Sequence, residues 1–103
     1  MVDYSSKIIV TIDVELEDLI PGFLKSREKD IEKVREYLAT GDFEAIRLLG
    51  HTLKGNGAGY GFDDLSVVGR EMEQAATEEA PDAINKTLDD FSAYLENIEV
   101  VFE

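Results

Sequence analysis

The sequence predicts an all-α fold: an antiparallel four-helix bundle with an extended and short-helical N-terminal lead-in. Apolar and small residues recur at alternating three- and four-residue spacings, the pattern of helices with one face packed in a bundle. Short segments containing Gly41, Gly61 and Pro81 separate the patterned stretches, and such short connections place neighbouring helices antiparallel. The predicted parts of this single domain are the lead-in, residues 1–16, and the bundle, residues 17–103.

The N-terminal part of the chain is predicted to contain the lead-in and the first long helix. Residues 7–12 are rich in β-branched side chains and lack a helical period. We expect them to be extended, too short to form a sheet alone, with their isoleucines covering one end of the bundle. A short helical turn is expected near residues 13–19, with a bend or a fresh start at Pro21. Gly41 is expected to end the first helix and Asp42 to cap the second.

The remaining three helices are predicted from their apolar seams. The second helix has its seam at Phe43, Ile46, Gly50, Leu53, Gly57 and Tyr60. Gly61 is expected to end the second helix, and the third helix is expected to begin at Asp63 or Asp64. The third seam comprises Leu65, Val68, Met72 and Ala75 or Ala76. Pro81 suits the first turn of a fourth helix, whose seam is Ile84, Leu88, Phe91, Leu95, Ile98 and Phe102.

The composition argues against several classes of function. A net charge of −13 disfavours binding to nucleic acid or to anionic membrane surfaces. No apolar run approaches the ~20 residues that cross a bilayer, and the N-terminus lacks the features of a secretory signal. The absence of cysteine excludes disulfides and thiolate metal sites and agrees with a reducing compartment. A cytoplasmic monomer is expected, and Met1 with its polar flanks favours a complete small protein.

The candidate reactive group is His51, the single histidine of the chain. Imidazole titrates near pH ~6.5, so a large share of it is an unprotonated nucleophile near neutral pH. With 100° per residue, His51 lies about 130° from the seam of its helix, and we therefore expect it to face solvent. Its neighbours on this outer face are Arg47, Leu48, Lys54, Gly55 and Ala58.

The segment around His51 differs from the rest of the chain in charge and in glycine content. Residues 45–62 contain no Asp or Glu, although 23 acids in 103 residues would place about four there. Gly55 occupies an outward position, where packing against another helix gives no reason for a glycine that costs a helix about 0.8–1 kcal/mol. We expect its missing side chain to leave the imidazole uncovered and to let another protein's backbone approach.

These features favour a phosphoryl-accepting histidine over the more common case of a lone surface histidine without function. Attack of an exposed ring nitrogen on phosphorus gives a phosphoramidate, and Lys54 would supply a cation beside the transferred group. A zinc site would need more imidazole or thiolate ligands. A phosphate-binding P-loop is absent, and the glycines at 55–61 lack the preceding strand of a nucleotide-binding loop. A Ser/His/Asp triad is not excluded, but nothing supports one. The chain is expected to be a carrier without its own ATP site, not an enzyme.

His51-x-x-Lys54-Gly55, followed by Gly61, Leu65 and the pair Met72-Glu73, resembles the signature of histidine-containing phosphotransfer (HPt) domains of two-component signalling. The resemblance covers roughly residues 17–102. It implies that His51 is phosphorylated, that Lys54 supports the phosphoryl group, and that Gly55 is the small residue for packing and access. It also implies a partner: a response-regulator receiver domain whose aspartate exchanges the phosphoryl group with His51. A histidine kinase, which could be a hybrid kinase, is a second expected partner.

The resemblance further implies that Mg²⁺ is bound by the receiver's carboxylates, so no cofactor is expected on this chain. Arg47, Leu48 and Ala58 are expected to contact the partner; alternatively, Leu48 packs under the N-terminal segment.

Two other interpretations of the function stay open. The chain could be a bundle that binds a partner through the same face without covalent chemistry. It could also be the phosphate-accepting domain excised from a chemotaxis-type histidine kinase, which carries a similar motif including a pair like Gly61-Phe62, although the kinase core is absent here.

Overall fold

The computed structural model describes residues 4–103, so residues 1–3 of the predicted lead-in lie outside the described part of the chain. In chain order the elements are strand β1 (Ile8–Ile12), a 3₁₀-helix (Val14–Leu19), helices α1 (Ile20–Ala39), α2 (Phe43–Tyr60), α3 (Asp63–Thr77) and α4 (Pro81–Asn97), and strand β2 (Ile98–Phe102). Each α-helix packs against others of the four, most extensively α2 against α3. The predicted four-helix bundle and the short helical turn before it are therefore confirmed.

The helix boundaries lie where residues that break or cap a helix predicted them. Pro21 occupies the first turn of α1, where its missing N–H has no helical partner to lose. Gly41 takes a left-handed φ of +71° between α1 and α2. The Oδ1 atom of Asp42 accepts a hydrogen bond from the backbone N–H of Ala45 at 3.1 Å, which caps α2. Gly61 ends α2 with a φ of +90°.

The predicted seams of the helices form the core of the bundle. The buried seam residues include Ile46, Leu53, Leu65, Val68, Met72, Ile84, Leu88 and Phe91. Phe43, Tyr60 and Leu95 are half-buried at the margins of the same core. Since each fully buried large aliphatic or aromatic side chain contributes about 1.5–3 kcal/mol relative to exposure, this seam is the main source of stability for the bundle.

The two ends of the described chain differ from the prediction because they pair with each other. β1 and β2 form a parallel two-stranded sheet in which Ile8 lies opposite Ile98 and Ile12 lies opposite Phe102. The prediction that Ile98 and Phe102 continue the seam of the fourth helix is wrong, because α4 ends at Asn97. The extended conformation expected for residues 7–12 is found, but with a strand partner that a local sequence pattern cannot reveal.

The apolar residues of β2 have a spacing that is compatible with a helix as well as with a strand. Ile98, Val100 and Phe102 are half-buried, while Glu99 and Val101 between them are exposed. Ile98 and Phe102 are four residues apart, and this spacing places two residues on the same face of a helix and also on the same face of a strand. The apolar pattern is therefore ambiguous. The β-branched residues at 98, 100 and 101 favour the strand.

The inward face of the sheet covers part of the bundle, as expected for the isoleucines of the lead-in. Ile12 is buried and Ile8 is half-buried, whereas Ile9 points outward and is 63% exposed. Just before β1, the ring of Tyr4 packs edge-on against that of Tyr94 of α4, with 5.4 Å between the ring centroids. Asn97 also donates a side-chain hydrogen bond to the carbonyl oxygen of Tyr4 at 2.8 Å. The N-terminal segment is thus bound to the end of α4.

Candidate functional site

His51 lies in the middle of α2 on the face that points away from the core. Its side chain is 62% exposed, which confirms the outward orientation predicted from helix geometry. α2 continues unbroken from Phe43 to Tyr60, so the glycine-rich stretch after His51 remains helical. The residues that follow His51 by three and four positions are therefore its neighbours on the helix surface.

Gly55 leaves open space one helical turn after His51. A Cβ atom placed on Gly55 would meet no other atom within 4 Å, so packing does not require a glycine at this position. Two seam glycines differ in this respect. A Cβ on Gly50 would lie 2.7 Å from the backbone nitrogen of Glu73, and one on Gly57 would lie 2.5 Å from that of Ser66. The predicted division between packed seam glycines and an unpacked outward glycine is therefore confirmed.

A carboxylate of α3, that of Glu73, contacts both His51 and Lys54. The Nδ1 atom of His51 lies 3.1 Å from Oε2 of Glu73, and the Nζ atom of Lys54 donates to Oε1 at 2.9 Å. Residues 45–62 contain no acid, but the surroundings of His51 in space include the carboxylate of Glu73. Because α3 packs against α2, it brings a side chain from 22 positions away, which a window along the chain cannot show.

The contacts of Glu73 with His51 and Lys54 are not predicted by the sequence, in which Glu73 belongs only to the Met72-Glu73 pair of the HPt-like signature. One signal could have found them. Glu73 directly follows the seam residue Met72, so the helical period places it at the edge of the packed face of α3. Sequence alone does not fix the register between two helices, and that register decides which residue of α2 it meets.

The surroundings of Glu73 hold its carboxylate ionised. The hydrogen bond from Lys54 lowers the pKa of Glu73 below its ordinary value, against a smaller effect of partial desolvation and with further help from His51. An ionised carboxylate only accepts hydrogen bonds, so the proton in this contact belongs to Nδ1 of His51. In the neutral ring, Nε2 is then the nitrogen with the free lone pair. The arrangement can therefore present an oriented nucleophile on an exposed surface.

The other residues predicted to contact a partner lie on the same helix, with different surroundings. The guanidinium of Arg47 donates to Glu44 at 2.9 and 2.6 Å, and this pairing lowers the pKa of Glu44 and raises that of Arg47. Ala58 is exposed. Leu48 is 52% exposed, so the alternative that it packs under the N-terminal segment is wrong. Leu48 instead lines a groove of about 410 Å³ between α1 and α2.

Within residues 4–103, no cluster of three or more His, Cys, Asp or Glu side chains could hold a metal ion. The carboxylate of Glu73 is engaged by His51 and Lys54. The expected absence of a cofactor on this chain stays a prediction.

The fold and the site together define a class of protein: a helical bundle with one exposed histidine. This histidine is hydrogen-bonded to a carboxylate and lies beside a lysine and a glycine that has open space around it. Comparison with protein-family models gives a match to the Hpt domain over residues 18–100. The chain belongs to the Hpt domain family and is a histidine phosphotransfer module of two-component signalling. Members of this family are phosphocarriers that interact with response-regulator receivers.

Two further comparisons returned no match, one with curated proteins and one with solved structures. Across residues 4–103, no helix has the length and apolar character needed to cross a bilayer.

Proposed function

We propose that this protein accepts a phosphoryl group on Nε2 of His51 and exchanges it with the aspartate of a receiver domain. The observation that carries the proposal is the contact between Nδ1 of His51 and Glu73, made by a ring that is otherwise largely exposed. This contact assigns the proton to Nδ1 and leaves the lone pair of Nε2 available for attack. A histidine without such a partner would interconvert between its two tautomers.

The transfer step follows from this arrangement. The lone pair of Nε2 attacks the phosphorus of the receiver's aspartyl phosphate, an N–P bond forms, and the P–O bond to the aspartate breaks with its electron pair. The aspartate leaves as a carboxylate, and the ring of His51 acquires positive charge with its proton still on Nδ1. Glu73 stabilises that charge as a carboxylate stabilises the imidazolium of a catalytic histidine. The same step in reverse returns the group to the receiver.

Lys54 is proposed to stabilise the phosphoryl group during transfer. Its Nζ atom is bonded to Glu73, one helical turn from His51, and its side chain is 38% exposed. The contact with Glu73 holds the ammonium group beside the ring, and the remaining N–H bonds can turn toward the phosphoryl oxygens. The receiver's own carboxylates would hold the Mg²⁺ ion of the reaction, so Lys54 is the cation that this chain contributes.

The surface around His51 is proposed to receive the partner directly. Gly55 has no side chain and Ala58 has a small one, so the helix offers an unobstructed approach. Leu48 adds an exposed apolar contact on the other side of the histidine. We further propose that the protein acts as a cytoplasmic monomer without a cofactor, and that a histidine kinase, hybrid or not, is its second partner.

The proposal is tested by transfer of radiolabelled phosphate from a panel of phosphorylated receiver domains. We expect the wild-type protein to acquire label that is labile in acid and stable in base, which is the stability of a phosphoramidate. The His51→Gln variant, which keeps a polar side chain at an exposed position, should fold normally and acquire none. Absence of label on the wild type across the panel would contradict the proposal and would favour a bundle that only binds its partner.

A further inference from the structure

We propose that Gly50 and Gly69 are positioning residues for the phosphoryl-accepting histidine. Their mutual backbone contact sets the distance between α2 and α3 at the level of His51, so that the carboxylate of Glu73 reaches both His51 and Lys54. The inference rests on the proposed function only for its effect on transfer. The geometric part concerns the unphosphorylated protein and can be tested separately.

The two glycines face each other across the interface between α2 and α3. A Cβ atom on Gly50 would lie 2.8 Å from the carbonyl oxygen of Gly69 and 2.7 Å from the backbone nitrogen of Glu73. A Cβ atom on Gly69 would lie 2.7 Å from the carbonyl oxygen of Gly50 and would overlap the backbone nitrogen of Lys54. Real Cβ atoms essentially never lie under 3.0 Å from such atoms, so the two backbones are in direct contact here.

The backbone segments that meet at this contact carry the functional side chains. Gly50 immediately precedes His51 and touches the backbone of Glu73, while Gly69 touches the backbone of Lys54. The hydroxyl of Ser66 also donates to the carbonyl oxygen of Lys54 at 2.8 Å, which attaches the same turn of α2 to α3. Any change in the separation of the helices at these glycines is therefore transmitted to the distances between Glu73 and its two partners.

The distances decide how sensitive the site is to that separation. Ordinary contacts of a Cβ atom begin near 3.4 Å, so an alanine at position 50 requires the backbone of Glu73 to retreat by about 0.7 Å. The contact between His51 and Glu73 is 3.1 Å long, and the same retreat would take it beyond the usual hydrogen-bond range of about 3.2 Å. One methyl group on the buried side of α2 is thus expected to release the imidazole on the exposed side.

The experiment compares Gly50→Ala, Glu73→Ala and the double variant, with Gly57→Ala as the matched control. Gly57 packs equally tightly on α3, but against the backbones of Leu65 and Ser66, about 10 Å along the helix from Glu73, so it is the control for the tautomer of His51. The first readout is the tautomer of His51 in the unphosphorylated protein, measured by long-range ¹H–¹⁵N correlation NMR. The second is the rate of phosphoryl transfer from a receiver that labels the wild type.

We expect the wild type and Gly57→Ala to hold the proton of His51 mainly on Nδ1. Gly50→Ala and Glu73→Ala should both shift to a mixture of tautomers and slow transfer by roughly ten- to a hundredfold, as for a reacting group misplaced by about 1 Å. Because Gly50 acts through Glu73, the double variant should behave like Glu73→Ala alone, with no further loss. Gly69→Ala should reproduce the effect of Gly50→Ala.

Three results would overturn the inference: an unchanged tautomer in folded Gly50→Ala, an equal change in Gly57→Ala, or additive losses in the double variant. If a glycine variant is too unstable at 25 °C, the spectra are recorded with the osmolyte trimethylamine N-oxide, which favours the folded state. If the wild type accepts no phosphate, the proposed function fails while the tautomer measurements still decide the positioning role.

Discussion

Glu73 illustrates, at the scale of single residues, how a side chain from one helix assigns the chemistry of another. The exposure of His51 and the open surface at Gly55 follow from the position of each residue on α2, and the sequence predicted both. The proton on Nδ1 follows from a contact between helices. That contact depends on the register of α3 against α2, so it could be found only in three dimensions.

Replacement of Lys54 by alanine is expected to slow phosphoryl transfer while leaving the fold intact. The side chain of Lys54 is partly exposed and its charge contacts the carboxylate of Glu73 at the surface, so little packing is lost. We expect a loss of roughly tenfold or more, because a donor to the transferred group is removed. The measurement is the transfer rate from a labelled receiver, with circular dichroism as the test of folding.

Lys86→Ala is the control for this substitution, since Lys86 is also a surface lysine bonded to a carboxylate, that of Asp90 in α4. It should transfer at the wild-type rate. Equal rates for Lys54→Ala and the wild type would refute the role proposed for the Lys54 charge.

Replacement of Gly55 by leucine is expected to weaken receiver binding without unfolding α2. A Cβ at this position meets no atom within 4 Å, so the larger side chain projects from the exposed surface next to His51. The affinity for the receiver, measured by isothermal titration calorimetry, should fall at least tenfold. Gly22→Leu is the control, because Gly22 is an equally open helical position in α1, beside Tyr60, which is about 13 Å along α2 from His51. Wild-type affinity of Gly55→Leu would show that access is not the reason for this glycine.

At the scale of elements, the sequence predicted those features that depend on neighbouring residues. Asp42 and Gly61 act as a cap and a terminator within their own turn, and the seam residues of α2 and α3 repeat within their own helix. Gly69, by contrast, lies in the interior of α3, where a glycine lowers helix stability, and its packing against Lys54 depends on both helices. Where two helix backbones approach closely, the sequence shows a glycine in each helix, but it does not show which glycines contact each other.

The end of α2 offers a matched pair of glycine substitutions. Gly61 has a φ of +90°, and a Cβ there would also lie 3.1 Å from the side chain of Ile12. Gly61→Ala should therefore reduce the free energy of unfolding by about 1–2 kcal/mol, the cost of a left-handed alanine. Gly59 is helical and meets no atom within 4 Å, so Gly59→Ala should raise stability by up to about 1 kcal/mol. Urea denaturation measures the free energy of unfolding of both variants. Similar effects of the two substitutions would show that the left-handed backbone at position 61 does not strain an alanine.

At the scale of the whole molecule, the excess of acid affects groups that are far apart in the sequence. Burial raises the pKa of Tyr4 to about 12, with added contributions from the carboxylates of Asp64, Glu71 and Asp90. Burial also raises the pKa of Tyr94, whose ring packs against that of Tyr4. The sequence shows the net charge of −13 but not which carboxylates surround the phenol hydroxyls, because that depends on how the N-terminal segment returns to α3 and α4.

These shifts predict a loss of stability at alkaline pH. In the unfolded chain tyrosine ionises near pH 10, whereas folded Tyr4 keeps its proton until about pH 12. The unfolded state therefore binds fewer protons in this window, and the free energy of unfolding should decrease as pH rises from about 10 to 12. Urea denaturation at pH 9, 10 and 11 measures the decrease. Tyr4→Phe should make it shallower, because phenylalanine does not ionise; the same slope in the variant and the wild type would exclude Tyr4 as a cause.

The parallel pairing of β1 with β2 has a consequence for the newly made chain. The partner of Ile8 is Ile98, so β1 cannot pair until the ribosome has added about 90 more residues. This takes roughly 5–20 s at usual rates of synthesis. The helices consist of local contacts and can begin to form earlier, whereas closure of so long a loop comes late. Until then the apolar segment Ile8–Ile12 lacks the strand with which it pairs in the folded protein. We expect this interval to be the time at which nascent chains are most exposed to association with one another and to capture by chaperones.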